Sequence, residues 1–221
     1  MYSRSTMVSQ MIRYLGASQG DVNHRHIVDT YNAHTPLARG YKVKYTDPWC
    51  ATTVSAAAIE CGYTHIIPTE CSCTRMIELL KTKGEWNGDD NYVPHPGDII
   101  FFNWDAVSEG QDVDGLAHHV GIVEYVADGK IHTIEGNKDG KCARRTIKIG
   151  WKYIHSFGTP FYDEDEEQKP VKERKKYTVQ KGDTLSKIGK TTGVWWKDIA
   201  CINGIKFPYI IYPGEELYLE K

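Results

Sequence analysis

Asp47-Pro48-Trp49-Cys50-Ala51-Thr52-Thr53-Val54-Ser55-Ala56-Ala57-Ala58 is the stretch on which the reading of this chain turns. Asp47 is a good N-cap, Pro48 suits the first helical position, and Gly62 after Cys61 supplies a stop. The pattern predicts a helix over 48–61 with Cys50 in its first turn. There, unpaired backbone N–H groups and the helix dipole favour negative charge. A thiol so placed has a lowered pKa and yields a thiolate, its reactive form. The plainer reading of the same residue is a small core cysteine, since free Cys is among the most buried residue types.

Further along, Ala117-His118-His119-Val120-Gly121-Ile122-Val123-Glu124-Tyr125-Val126 and Lys130-Ile131-His132-Thr133-Ile134-Glu135-Gly136-Asn137 flank Ala127-Asp128-Gly129. Two β-rich runs around Asp-Gly predict a hairpin. A two-residue turn pairs Ala127 with Lys130 and sends His119 and Glu135 to opposite faces. A three-residue loop with Gly129 in a G1 bulge pairs Val126 with Lys130. His119 then lies opposite Asn137 and diagonal to Glu135, all on one face. The second register is favoured because it leaves a cysteine, a histidine and a polar partner available to one another. Those are the minimum parts of cysteine-based acyl transfer: nucleophile, base, and a group that orients the base.

These segments, with Pro96-Gly97-Asp98-Ile99-Ile100-Phe101-Phe102 feeding an apolar strand, resemble the CHAP domain, a papain-like family of peptidoglycan amidases and endopeptidases. The resemblance covers residues 1–161. It implies Cys50 as nucleophile, His119 as base, and Glu135 as orienting group with Asn137 as helper or substitute. His119 rather than His118 abuts Val-Gly-Ile-Val, and strand alternation points the two rings oppositely. Some CHAP domains hold calcium in acidic residues just before the cysteine. Here that stretch, 40–46, is basic and aromatic, so no metal or other cofactor is expected. Trp49 beside the nucleophile is the best candidate for stacking on a sugar, the plainer reading of such a residue being an anchor of the helix in the core.

At the other end, Tyr177-Thr178-Val179-Gln180-Lys181-Gly182-Asp183-Thr184-Leu185, then Asp198-Ile199-Ala200-Cys201-Ile202-Asn203-Gly204, then Ile211-Tyr212-Pro213-Gly214-Glu215-Glu216-Leu217-Tyr218-Leu219 resemble a LysM module spanning 177–219. Short alternating strands, a Gly-Asp-Thr turn with a helix N-cap, and an Asn-Gly helix stop agree with its βααβ order. The resemblance implies binding of N-acetylglucosamine-containing glycans such as peptidoglycan. The implied groove sets Gly182, Asp183, Thr184 and Leu185 against 205–212, with Ile210 among the contacts. Between the two segments, 162–176 runs from an acidic block through Pro170 into a basic block and is almost devoid of apolar residues, which predicts a hydrated linker. The LysM segment is then 177–221.

A chain of 221 residues with 40% hydrophobic residues supports one medium and one small domain. A net charge of −2 argues against general nucleic-acid or anionic-membrane binding, and no run is long enough to span a bilayer. The first residues lack the apolar stretch of a signal peptide; Met7, Val8, Met11, Ile12 and Leu15 mark an amphipathic helix instead. Synthesis in a cytoplasm followed by action at the bacterial wall after release, as in phage lysins, is therefore expected, with the protein a monomer. The six cysteines show no disulfide framework, and Cys71-Ser72-Cys73 lacks zinc-finger spacing. Helices near 4–15, 48–61 and 74–83, with a short one at 26–31, precede strands at 98–103, 119–126, 130–135 and 152–157. That order predicts an α+β fold.

Overall fold

The computed structural model describes residues 2–105, 116–163, 175–205 and 208–219. The chain divides into two compact units, Met1–Glu166 and Glu167–Lys221. The first is α+β, as expected. Helices α1 (Arg4–Arg13), α2 (Val22–Ala33), α3 (Cys50–Cys61) and α4 (Cys73–Lys83) precede strands β1 (Trp86–Asn87), β2 (Ile99–Phe102), β3 (His119–Ala127), β4 (Lys130–Lys138), β5 (Lys141–Lys148) and β6 (Ile154–Gly158). The six strands form one antiparallel sheet in the order β1-β6-β2-β3-β4-β5.

Helix α3 is the centre of this unit. All of Cys50–Ala58 is buried, and the helix touches α1, α2, α4, β3 and β4. A helix enclosed on every side must be apolar or small-residue all round, which the Ala/Thr/Ser run supplies. Its start differs from expectation. Asp47 does not cap it but accepts from the Lys44 N–H at 2.9 Å and the Tyr41 hydroxyl at 2.8 Å, closing the preceding turn. Trp49 holds the N-cap position without a side-chain bond, so Cys50 becomes the first helical residue. Gly62 ends the helix in the left-handed conformation as expected (φ 71°).

The hairpin reaches the expected alignment by another route. Asp128 and Gly129 both take positive φ (51° and 69°), making a two-residue turn that pairs Ala127 with Lys130. A bulge between Val123 and Tyr125 then shifts the register, so that Val123 faces Thr133 and Ile122 faces Ile134. One extra residue on β3 exchanges the faces beyond it. His119 and Glu135 thereby share a face, and the favoured three-residue loop is replaced by a turn plus a bulge. A second Asp-Gly turn, Asp139-Gly140, leads into β5, which the sequence reading missed.

In the second unit, β7 (Lys176–Thr178) pairs antiparallel with β8 (Glu216–Tyr218). Helices α5 (Leu185–Thr192) and α6 (Trp196–Ile202) lie between them in sequence, in the expected βααβ order. Most of the expected linker, 164–174, lies outside the described residues. At its edges Tyr162 is buried in the first unit, donating to the Gly97 carbonyl at 2.8 Å, and Lys176 opens β7.

Candidate active site

Three elements converge on one cluster. Cys50 starts α3, His119 starts β3, and Glu135 lies on β4, the strand paired with it. The His119 imidazole bonds through Nε2 to Glu135 Oε2 at 2.9 Å. The Cys50 sulfur and the imidazole act on each other electrostatically, the ring lowering the thiol's pKa and the sulfur raising that of the ring. Gly121 makes room for this: a Cβ there would come within 2.6 Å of Glu135 Cγ. Gly136 likewise lets β4 close on α3, since a Cβ would lie 2.6 Å from Thr53 Cβ.

Glu135 is fully buried, and its carboxylate is saturated. The Thr133 hydroxyl donates to Oε1 at 2.6 Å, while Arg145 of β5 donates from Nε to Oε1 and from its terminal nitrogen to Oε2, both at 2.9 Å. Such a two-pronged arginine contact fixes orientation as well as charge. The guanidinium in turn lies 5.2 Å from the Trp104 ring centre. Trp104 stacks on Phe102 and sits 5.8 Å from the His119 ring.

Two buried cysteines show what these partners do. Cys142, 2% exposed, has only burial and the charge of Glu135 acting on it, and its thiol is pushed up to about 12. Cys50, 5% exposed, is held well below the ordinary thiol range. A hydrogen bond from Cys73 lowers it most; His119 and the Ala51 N–H add to this, and together they override burial. Burial disfavours a charged imidazole at position 119, but bonds to Cys50 and Glu135 prevail and raise its pKa to about 9. Burial also opposes ionisation of Glu135, and His119 with Arg145 outweighs it. Both directions favour a thiolate beside a protonated imidazole, the charge state that nucleophilic cysteine chemistry uses.

Residues 40–137 match the CHAP domain and residues 177–219 match the LysM domain. The chain carries a CHAP domain followed by a LysM domain. A curated relative, the uncharacterized lipoprotein YgeR of Escherichia coli (strain K12), is 51% identical over 43 residues, which are 20% of this chain and 17% of that protein. The chain thus spans about a sixth of the curated relative it matches. Among solved structures, Ly7917 is 12% identical, covering 80% of this chain and 66% of that one, with a TM-score of 0.41. The MoCVNH3 variant in complex with (N-GlcNAc)4 is 22% identical, covering 42% and 56%, with a TM-score of 0.20. Among the described residues no helix is long and apolar enough to cross a membrane.

Within the CHAP domain the other expected residues divide. Asn137, at positive φ (55°), lines a cavity of about 300 Å³ with Trp104, His119, Lys138, Asp139 and Arg145, while Glu135 is the residue bonded to the imidazole. Trp49 is corrected: it is fully buried, packed edge-on to His24 at 4.7 Å, and cannot stack on a sugar. The tryptophan presented beside His119 is Trp104, 38% exposed. Arg145, Cys73 and Trp104 were all missed. The repeated Asp-Gly signal before 141–148 could have revealed β5 and hence Arg145. Nothing in the local sequence announces Cys73.

Within the LysM domain, Gly182 takes φ +90° in the turn, and Asp183 accepts from the Tyr177 hydroxyl at 2.9 Å and the Gln180 N–H at 2.8 Å. Thr184 caps α5 by accepting from the Lys187 N–H at 3.3 Å. Leu185 is corrected: at 4% exposure it belongs to the core and offers no side chain to a ligand. Ile210, 56% exposed, lines a cavity of about 500 Å³ with Asn203, Ile205, Pro208, Glu215, Glu216 and Leu217. Residues 206 and 207 of the expected groove lie outside the described residues.

Proposed function

We propose that the chain is a cell-wall hydrolase that cleaves an amide bond of peptidoglycan by a Cys50–His119–Glu135 mechanism, held on its polymer by LysM binding to N-acetylglucosamine-containing glycan. The observation that carries this reading is the convergence of Cys50, first residue of α3, with His119 of β3, whose imidazole bonds to the buried Glu135 carboxylate at 2.9 Å. The Cys50 thiolate attacks the amide carbonyl. Backbone N–H groups at the start of the helix, which have no intrahelical acceptor, steady the developing oxyanion. His119 gives its proton to the leaving amine and then activates water to open the thioester. Glu135 holds the ring and balances its positive charge, and Arg145 keeps Glu135 ionised. Asn137, which lines a cavity with His119 and Arg145, serves as a helper in binding. On the LysM side, the turn 182–184 and Ile210 are proposed to border the sugar groove.

The scissile bond is either the one between muramic acid and L-alanine or one within the peptides. Digestion of purified peptidoglycan, with fragments identified by mass spectrometry beside Cys50→Ala and His119→Ala controls, tests both. New alanine N-termini with free lactyl ends mean amidase; cuts within stem or cross-bridge mean endopeptidase. A wall-binding protein without catalysis is the second reading, favoured by the small exposure of Cys50. Fragments absent from the wild-type digest while wall binding persists would establish it.

A further inference from the structure

A second sulfur sits at the reactive one. Cys73 Sγ lies 3.7 Å from Cys50 Sγ, both buried, each on the first residue of its helix. Their approach is built into the fold. The Ser55 hydroxyl of α3 donates to the Glu70 carbonyl at 2.7 Å and accepts from the Glu70 N–H at 2.8 Å. The buried Glu70 carboxylate takes the N–H groups of Cys71 and Ser72 at 2.7 and 3.2 Å and pairs with Arg39 at 2.6 Å. The segment leading into α4 is thereby pinned to α3, and Cys73 is delivered against Cys50. Forming an S–S bond of ordinary length needs the sulfurs to close by about 1.7 Å.

We infer that Cys50 and Cys73 form an oxidant-responsive dithiol, a modification site at which a hydroperoxide converts the catalytic thiolate into a reversible intramolecular disulfide. This rests on the hydrolase reading only in treating the disulfide as an off-state. The Cys50 thiolate attacks the terminal oxygen of the hydroperoxide. The O–O bond breaks, the departing alkoxide or hydroxide takes the proton of the His119 imidazolium, and Cys50 becomes a sulfenic acid. Cys73 then gives its proton to the neutral His119, and its sulfur attacks Cys50. The S–S bond forms, the S–O bond breaks, and hydroxide leaves with that proton as water. Two thiols are oxidised and one peroxide is reduced to an alcohol, or to water, plus water. Low pKa and a poised resolving thiol are the features that separate redox-sensing cysteines from inert ones. Cys142 has neither.

The test treats the full chain with hydrogen peroxide, alkylates remaining thiols, and maps the digest by mass spectrometry beside wall lysis before and after dithiothreitol. The expected product joins the Cys50 and Cys73 peptides with the loss of two hydrogens, and lysis falls roughly tenfold or more and returns on reduction. In Cys73→Ser the cross-link is absent, Cys50 proceeds to the sulfinic acid, and dithiothreitol restores little. Sulfinic Cys50 beside an alkylated Cys73 in the wild-type chain would overturn the inference, and that result needs no variant to fold. Equal recovery in Cys73→Ser would overturn it as well. Because the cross-link is read by mass, a chain that forms it without ever lysing wall refutes the hydrolase reading and leaves the dithiol standing.

Discussion

The two folded units bury different things. In the CHAP unit three carboxylates, Glu70, Asp98 and Glu135, are at most 1% exposed, and each is held by an arginine: Arg39, Arg4 and Arg145. In the LysM unit the buried set is Val179, Leu185, Ile188, Ile199, Ala200 and Leu217. Among the described residues, every buried polar or charged side chain falls in the first unit. Burying an ion pair is costly and seldom stabilises relative to apolar packing. The CHAP unit bears that cost where position matters: Asp98 ties α1 to the strand before the site, Glu70 delivers Cys73, and Glu135 orients His119. The LysM unit needs only a small stable platform with polar groups outside. Chemistry and adhesion should therefore come apart under mutation.

The largest separation is expected from Cys50→Ala. Wall cleavage should drop by roughly four orders of magnitude, the usual consequence of removing a catalytic nucleophile. Sedimentation with insoluble peptidoglycan should be unchanged. Loss of binding in step with activity would show that the first unit is an adhesive surface too, and would erase the contrast.

Arg145→Gln tests whether the buried charge serves chemistry or only packing. Without the guanidinium, burial is expected to push Glu135 up toward its neutral form, and His119 then loses the charge that holds its proton. The folded pKa of about 9 should fall, moving the basic limb of the pH–rate profile to lower pH. Activity at neutral pH should fall about a hundredfold, with roughly 3 kcal/mol lost in unfolding experiments from an uncompensated carboxylate. Arg145→Lys should recover part of the profile. A variant that is less stable but keeps the wild-type pH limb would make Arg145 a packing residue.

In the wild-type chain the sign is fixed by the same two shifts. Cys50 ionises below its ordinary range, and His119 keeps its proton up to about pH 9. Lysis should therefore hold through neutrality and decline above about pH 9, roughly tenfold per unit, as the imidazolium that protonates the leaving amine is lost. A decline centred near an ordinary histidine pKa would mean that the thiolate–imidazolium pair does not form in solution.

Local signals carried much of this architecture. The Pro48 and Gly62 signals marked a helix with a cysteine in its first turn, and the βααβ order of the LysM segment was readable from three short stretches. The misreadings share a cause: each concerned which of two local solutions the tertiary structure selects. Asp47 could cap a helix or close a turn, and the Lys44 and Tyr41 contacts took it for the turn. The Asp128-Gly129 turn alone would invert the faces, and the bulge at Val123–Tyr125 restores them; no side-chain pattern marks a bulge. Trp49 beside the nucleophile could stack on a sugar or anchor the helix, and enclosure of α3 on all sides selects the anchor. Cys73 and Arg145 reach the site across long sequence separations, through Glu70 and β5, which no window around Cys50 or His119 contains.

The smallest expected effect on catalysis itself lies in the other unit. Ile188, 1% exposed on α5, packs in a core of few residues, so Ile188→Ala should cost about 2–5 kcal/mol, enough to unfold a domain of this size. Peptidoglycan sedimentation should then be lost. Lysis of insoluble wall should decline only about tenfold, because the tether acts through effective concentration rather than through the reacting atoms. Cleavage of soluble wall fragments should not change, since Cys50, His119 and Glu135 all belong to the first unit. If soluble-fragment cleavage fell with the rest, the LysM unit would be helping to shape the active site, and the division between a unit that buries charge and one that buries only apolar groups would no longer map onto chemistry and adhesion.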